Sequence, residues 1–403
     1  MTERPVWAAV VAADRFTSAS REGIATWARG FGAGSGDSVL VVTCHRVELY
    51  GSGVESFVAP NTIDGGGAFD ILEGIDVVRH LCRLAAGLES AVVGEDQVLH
   101  QVRESFAAAS ARGPMGPDLA RMFELAIGVG RRTRAGQRAP RRDLGDVALA
   151  WLESATGSLH GRRLLIAGAG PMGRALAAAG RRRRADIVVA SRSREHAALV
   201  AAPLGAEAMD LSEAAAVVDR FDALAVALAG PWPDLDAAPV LPPTVDLSFP
   251  ATVGAAQRRS AGDRFADVDA LFALGRETRD GAHAGTGAGV GPGTGAGAAP
   301  RTGAYVRRAD ALVEQAVERY RVWAAGRRSV ETLRTLRERA ESRRARDLER
   351  LLRRLPDLDP RQRALVEAFS EQLVAGILHG PTSVLRDDQD GSAARAAERL
   401  FRL

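Results

Sequence analysis

The feature that most constrains the fold is a strand that runs straight into a glycine turn and a helix. Arg163-Leu164-Leu165-Ile166-Ala167 reads as a short buried strand; Gly168-Ala169-Gly170-Pro171-Met172-Gly173 follows, then a helix over 174–182 and a second strand over 187–190. The glycines permit a tight turn and close approach of a pyrophosphate to the helix N-terminus. A Gly-x-Gly-x-x-Gly by itself is weak evidence, but between a strand and a helix, with a second strand at the right distance, it specifies a Rossmann-type dinucleotide-binding domain. Ser191 and Arg192 stand at the end of the second strand, where an acidic residue would hold a ribose 2′-hydroxyl. That pair accommodates a 2′-phosphate, so the expected cofactor is NADPH. Asp186 begins the strand and is badly placed for the ribose. Residues 223–229 and 244–248 look like later strands of the same sheet.

A second feature carries chemistry. Residues 38–42 read as a buried strand that delivers Thr43, Cys44, His45 and Arg46 to its end. A thiol beside a guanidinium and an imidazole can have its pKa lowered, and Arg46 offers a planar fork suited to a carboxylate. The competing reading of Cys44 is a buried structural cysteine. Cys82, on a helix expected over 75–85, is read as core.

With 403 residues, the chain is expected to form two or three domains. Two cysteines and no apolar run of transmembrane length point to free thiols, a reducing cytoplasm and no membrane association. All 53 basic residues are arginine, a bias so complete that abundant arginine says little about nucleic acid. The cluster Arg131, Arg132, Arg134, Arg138, Arg141 and Arg142 reads equally as a phosphate-binding patch or as a solvated helix end. Strands are expected at 6–12 and 38–43 with a helix between them, then helices over 75–85, 95–111 and 115–138. Residues 281–300 are a glycine-rich low-complexity stretch, in which His283 is read as exposed and idle. Beyond it, helices are expected over 309–325, 329–355 and 361–378, charged on one face and leucine-striped on the other, a pattern that favours packing on a partner. The expected domains are thus 1–142, 143–278, a linker over 279–302, and 303–403.

With a reactive cysteine at a strand end, an NADPH fold behind it and a helical tail, the chain resembles glutamyl-tRNA reductase over nearly its whole length. Thr43-Cys44-His45-Arg46 stands for that family's Thr-Cys-Asn-Arg. His80-Leu81, Gly87-Leu88-Glu89-Ser90 and Gly94-Glu95-Asp96-Gln97-Val98 stand for its His-Leu, Gly-Leu-Asp-Ser and Gly-Glu-Pro-Gln-Ile blocks. Leu378-His379-Gly380-Pro381 resembles its closing Leu-Leu-His-x-Pro signature. The departures are His45 for asparagine, Asp96 for proline, an N-terminal Gly-x-x-His-Lys-x-Ala-Pro block that is not visible, and Asp246-Leu247-Ser248-Phe249-Pro250-Ala251 lacking the arginine of Asp-x-Ala-Val-Pro-Arg. The glycine-rich stretch also falls where the family runs a long helix.

The resemblance implies an α/β N-terminal catalytic domain, a Rossmann-type NADP-binding domain and an all-α C-terminal dimerisation domain. It implies Cys44 as nucleophile, an active-site role for His80, and Thr43, His45, Arg46, Ser90, Glu95, Asp96, Gln97 and Gln101 about the substrate. Gly168, Ala169, Gly170, Pro171, Met172, Gly173, Ser191 and Arg192 would hold NADPH. The implied reaction is reduction of glutamyl-tRNA(Glu) to glutamate-1-semialdehyde through a Cys44 thioester, the first step of tetrapyrrole synthesis by the five-carbon route. The implied partners are a second copy of the chain and the aminomutase that consumes the unstable aldehyde. The rival readings are a paralogue that binds NADPH or tRNA without reducing anything, and an NADP-dependent dehydrogenase acting on a small hydroxy acid or imine.

Overall fold

The computed structural model describes residues 6–13, 15–32, 38–43, 45–53, 69–90, 93–135, 144–238, 240–273 and 298–403. These fall into two compact units divided between Val313 and Glu314.

The first unit opens with a four-stranded antiparallel sheet in the order β2-β3-β1-β4, formed by β1 (Val6–Ala12), β2 (Ser38–Val42), β3 (Arg46–Ser52) and β4 (Asp70–Glu73). β1 and β2 stand where the sequence places them, whereas β3 and β4 are additions. The run 39–50 is therefore a hairpin: Val42 pairs with Val47, and the Thr43 N–H donates to the Arg46 carbonyl at 2.9 Å. Thr43 Oγ1 accepts from the His45 and Arg46 N–H groups at 3.2 and 3.0 Å, so the threonine shapes the turn it belongs to. Helices α1 (Ser18–Gly32), α2 (Ile75–Ala85), α3 (Asp96–Ala111) and α4 (Pro117–Arg134) cover this sheet. α2 has the bounds its 3.6-residue apolar period predicts, burying Val77, Val78, Leu81, Cys82, Leu84 and Ala85.

The α2–α3 connection is drawn tight by two glycines. The Gly94 N–H donates to the Gly87 carbonyl at 2.8 Å. A Cβ on Gly87, whose φ is +72°, would meet Gly94 Cα at 2.7 Å. Ser90 lies within this closed loop and Glu95 directly after it.

After α5 (Leu144–Thr156), which the sequence reading omits, a parallel six-stranded sheet follows in the order β10-β9-β8-β5-β6-β7. Its strands are β5 (Arg163–Ala167), β6 (Asp186–Ser191), β7 (Glu207–Asp210), β8 (Ala223–Val226), β9 (Thr244–Asp246) and β10 (Phe265–Asp267). Helices α6 (Pro171–Arg182), α7 (Arg194–Ala201), α8 (Leu211–Ala216) and α9 (Ala255–Ala261) pack about it, with an apolar core on each face. Buried Asp246 accepts the N–H groups of Ser248, Thr252 and Val253 at 2.9 Å each, so the Asp246–Ala251 block organises the loop after β9. Burial raises the Asp246 pKa despite these hydrogen bonds.

Three expectations for the C-terminal part need correction. The helices expected over 309–325 and 329–355 are one continuous helix, α10 (Ala298–Arg354), which begins inside the stretch read as linker; residues 279–297, including His283, lie outside those described. Gly326 is flanked by strong helix formers and costs only about 1 kcal/mol there, while Ser329 Oγ donates to Asp388 at 2.9 Å. The helix expected over 361–378 is α11 (Pro360–Arg386), which carries Pro381 within it. Pro360 opens this helix rather than breaking it, because Asp359 caps the terminus and exchanges hydrogen bonds with Gln362. A final α12 (Ser392–Phe401) was not expected.

In the second unit, Arg328 and Thr332 of α10 hold Glu398 of α12 at 2.6 and 2.9 Å, beside a small core of Leu385, Ala394 and Ala397. One stripe of α11 stays exposed at four-residue spacing: Leu365, Phe369, Leu373 and Ile377. Among the described residues no helix is long and apolar enough to cross a membrane.

Candidate active site

A cleft in the first unit is lined by Thr43, His45, Arg46, Leu84, Glu89, Ser90, Glu95, Gln97, Val98 and Gln101. The hairpin turn thus meets the α2–α3 loop and the first turns of α3. Seven of the residues proposed from sequence converge here: Thr43, His45, Arg46, Ser90, Glu95, Gln97 and Gln101. Cys44 lies outside the described residues, as do Arg138, Arg141 and Arg142 of the basic cluster.

Asp96 does not line the cleft. Its carboxylate is four-fifths exposed and pairs with Arg134 at 2.7 Å, because the first turn of α3 aims it outward. Arg134 is not a phosphate ligand waiting in a patch. It also donates to the carbonyls of Ala85 and Gly130 at 2.8 and 2.9 Å and to that of Glu95, which ties α2, α3 and α4 together.

His80 stands behind the cleft rather than in it. Its Nε2 lies 3.1 Å from Oε1 of Glu48, a fully buried carboxylate that the sequence reading did not single out. Glu48 also accepts from Tyr50 Oη and, at 3.3 Å, from Arg46 Nη1. Burial by itself pushes the Glu48 pKa up, but the charge and hydrogen bond of His80, then Arg46 and Tyr50, bring it down to about 2. Burial lowers His80 in turn, and Glu48 more than reverses this, so the net shift is upward. Burial and the neighbouring carboxylate hold the Tyr50 phenol well above its usual range. The group is a buried hydrogen-bonded chain, His80–Glu48–Arg46, that orients Arg46 from behind.

His45 also lines the cleft. It is buried, and neither ring nitrogen has a hydrogen-bond partner among the described residues. Burial and then the Arg21 and Arg46 guanidiniums lower its pKa to about 3. The ring is therefore neutral near pH 7, neither an imidazolium nor a strong base. It packs against Phe272, tilted by 39° with ring centroids 4.8 Å apart.

Phe272 belongs to a helical segment, 268–273, that joins the Rossmann sheet to the N-terminal sheet. Fully buried Arg21 donates to Asp269 at 2.6 Å and to the Phe16 carbonyl at 2.5 Å, and lies over the Phe249 ring. The second Asp269 oxygen accepts the Ser18 N–H at 3.1 Å, at the N-terminus of α1. On the other side of the cleft, Gln97 Nε2 reaches Met172 Sδ at 3.7 Å, so the cleft and the glycine turn are adjacent.

The turn itself has the shape its sequence requires. A Cβ on Gly168 would meet the Ala227 carbonyl oxygen at 2.2 Å, and one on Gly173 would meet the Gly168 carbonyl oxygen at 1.8 Å. Gly170, which precedes α6, has open space on that side, where a pyrophosphate fits over the helix N-terminus. Ser191 is partly buried at the end of β6 and Arg192 is exposed beside it. Among the described residues no cluster of histidine, cysteine and acidic side chains could hold a metal ion.

Similarity to known proteins agrees with this arrangement. Residues 10–136 match the glutamyl-tRNA(Glu) reductase N-terminal domain, 308–403 match the dimerisation domain of the same enzyme, and 150–273 match the shikimate/quinate 5-dehydrogenase domain. The glutamyl-tRNA reductase of Chloroflexus aurantiacus is 30% identical over 386 residues, covering 87% of this chain and 84% of that one. The chain belongs to the glutamyl-tRNA reductase family. The glutamyl-tRNA reductase of Roseiflexus castenholzii is 31% identical, covering 91% of this chain and 88% of its own. Among solved structures, glutamyl-tRNA reductase from Methanopyrus kandleri aligns over 100% of both chains at 24% identity and a TM-score of 0.49. As a member of the glutamyl-tRNA reductase family, the chain is an oxidoreductase of the NADP-dependent class, with a Rossmann domain between its N-terminal α/β domain and its helical dimerisation domain.

Proposed function

We propose that the chain reduces glutamyl-tRNA(Glu) to glutamate-1-semialdehyde at the expense of NADPH, through a thioester on Cys44, opening the five-carbon route to tetrapyrroles. The observation that carries this reading is the cleft: seven residues separated in sequence converge on the turn that contains Cys44, beside the glycine turn.

In this reading the glutamyl side-chain carboxylate lies on the Arg46 fork. Glu95, Ser90, Gln97 and Gln101 receive the amino group and the remaining polar atoms, and the unpartnered nitrogens of His45 supply a neutral donor and acceptor. The Cys44 thiolate attacks the ester carbonyl carbon; a C–S bond forms, the bond to the ribose oxygen breaks, and the tRNA leaves once that oxygen gains a proton. A thioester accepts hydride more readily than an oxygen ester, and a thiolate leaves well. NADPH, held by Gly168–Gly173 with Ser191 and Arg192 at the 2′-phosphate, supplies the hydride when bound. His80 acts through Glu48 rather than on the substrate.

The domain bounds supported by the elements are 1–142, 143–278 and a helical part from Ala298, with 279–297 between them. Homodimerisation is supported by the stripe Leu365, Phe369, Leu373 and Ile377, left exposed within the segment that matches a dimerisation domain. A cytoplasmic setting and transfer of the aldehyde to an aminomutase belong to the same reading.

The decisive experiment is single turnover with glutamyl-tRNA labelled in the amino acid. Label trapped on Cys44 without NADPH, and semialdehyde released with it, are the expected results. Absence of label on the protein would remove the thioester. Label without reduction would point instead to a chain whose hydride transfer is uncoupled.

Gly173→Ala supplies an independent check on the cofactor site. With no room beside the Gly168 carbonyl, the substitution is expected to weaken NADPH binding roughly tenfold or more while leaving thioester formation intact. Fluorescence titration with NADPH and label trapping without it would measure the two separately.

A further inference from the structure

Arg46 is held from a second direction by groups that lead away from the cleft. Its Nη2 donates to the Glu89 backbone carbonyl at 2.8 Å and lies 3.6 Å from the Glu89 carboxylate. The other oxygen of that carboxylate accepts Arg83 Nε at 2.7 Å, and Arg83 Nη1 reaches Asp310 at 2.8 Å. Asp310 lies in the first turns of α10, more than 200 residues away in sequence. The same turns seat on the end of α2 and on α4: buried Tyr305 donates to the Ala86 carbonyl at 2.5 Å, and Arg308 to the Arg132 carbonyl at 3.1 Å. Ala309 and Val313 are buried beside them.

We infer that Glu89 is a positioning residue for substrate selection, holding the Arg46 fork at the carboxylate-reading angle, and that Asp310 of the long helix sets Glu89 through Arg83. The inference rests on the reading of Arg46 as the glutamyl carboxylate site. Arg46 has two terminal nitrogens, each with two N–H groups. One on each is spent, on the Glu48 carboxylate and on the Glu89 backbone carbonyl, which leaves the second pair for a bidentate fork. Without the Glu89 carboxylate only Glu48 and the backbone carbonyl of residue 89 would constrain the fork, and a guanidinium held less firmly loses part of its advantage over a point charge. Burial raises the Glu89 pKa, and Arg83 and Arg46 overcome this, so the group stays ionised at neutral pH.

The test is substrate preference in the full chain. Glu89→Gln is expected to lower kcat/KM for glutamyl-tRNA about tenfold while leaving single-turnover reaction with misacylated glutaminyl-tRNA, which has no carboxylate to read, nearly unchanged. Asp310→Asn, far from the substrate, should shift the preference the same way by about threefold. Glu89→Asp keeps the charge on a shorter stem and should recover most of the loss. An equal fall for both substrates in Glu89→Gln would reduce Glu89 to a structural role, and an unchanged preference would overturn the inference outright. Wild-type chain that forms no thioester from glutamyl-tRNA would overturn the functional reading and this inference with it. An active wild type with an insensitive Glu89→Gln would overturn the inference alone.

Discussion

Cys44→Ser is expected to abolish reduction of glutamyl-tRNA, by roughly 10³-fold or more, while tRNA binding stays within about twofold of wild type. The physical cause is the pairing of nucleophile and leaving group. A serine hydroxyl near pH 7 holds its proton, and its neighbour in sequence, His45, is a weak base, because burial and the Arg21 and Arg46 guanidiniums lower its pKa to about 3. An oxygen ester, were it formed, would accept hydride poorly and leave poorly. NADPH absorbance followed at saturating glutamyl-tRNA, with filter binding for the tRNA, separates the two effects. Near-normal reduction by Cys44→Ser would exclude covalent catalysis at this position. The neutral state of His45 leads to a companion expectation. His45→Asn should retain Cys44 alkylation by iodoacetamide with an unchanged pH midpoint, since no imidazolium is lost.

The second large effect is expected at Glu48. Glu48→Ala removes the anion from a buried chain and leaves Arg46, His80 and Tyr50 facing one another, a loss of about 3–5 kcal/mol of stability. Glu48→Gln keeps the volume and should cost less, about 1.5–3 kcal/mol. Both should lower kcat/KM by roughly 10²-fold, because Arg46 loses its anchor on the β3 side.

The pH dependence has a definite sign on each limb. Glu48 has a folded pKa of about 2 against an ordinary 4.5, so its contribution is present above pH 4.5 and is lost as pH falls through about 2. His80 has a raised folded pKa, so its contribution is complete below its ordinary 6.5 and is lost as pH rises through the folded value. Wild-type melting temperature should therefore gain most from the pair between about pH 4.5 and 6.5. Glu48→Gln should flatten both limbs. Melting curves across this range would decide it, and a Glu48→Gln profile parallel to wild type would separate His80 from Glu48.

Much of the site was legible in sequence because the signals are local. A strand, a turn of three glycines and a helix are neighbours along the chain, and so are Thr43 and Arg46. The spacing of Gly87, Ser90, Gly94 and Glu95 likewise encodes a loop whose closure needs only its own residues. Glu48 was not legible. A charged residue in a strand is ordinarily solvent-facing, and only the placement of β3 between β2 and β1, with α2 above it, buries this one. Asp96 was expected at the substrate, and Arg134 stayed open between a phosphate patch and a solvated helix end, for the complementary reason: sequence marks them as polar, but which way a helix turn points them depends on its neighbours. The break expected near Gly326 was overruled by contacts that Ser329 and Thr332 make with residues about sixty positions later.

The sequence by itself determined the parts whose physics is short-ranged: the glycine turn of the Rossmann domain, the extent of β6 up to Ser191, the apolar period of α2, and the identity of the residues flanking position 44. Only the tertiary structure decided how these parts act together. It set His80 on Glu48 rather than in the cleft, kept His45 neutral between Arg21 and Arg46, and linked Arg46 through Glu89 and Arg83 to Asp310. Ionisation and orientation in a buried site depend on which charges lie within a few ångströms, and that is set by chain folding across tens to hundreds of residues, which no local pattern encodes.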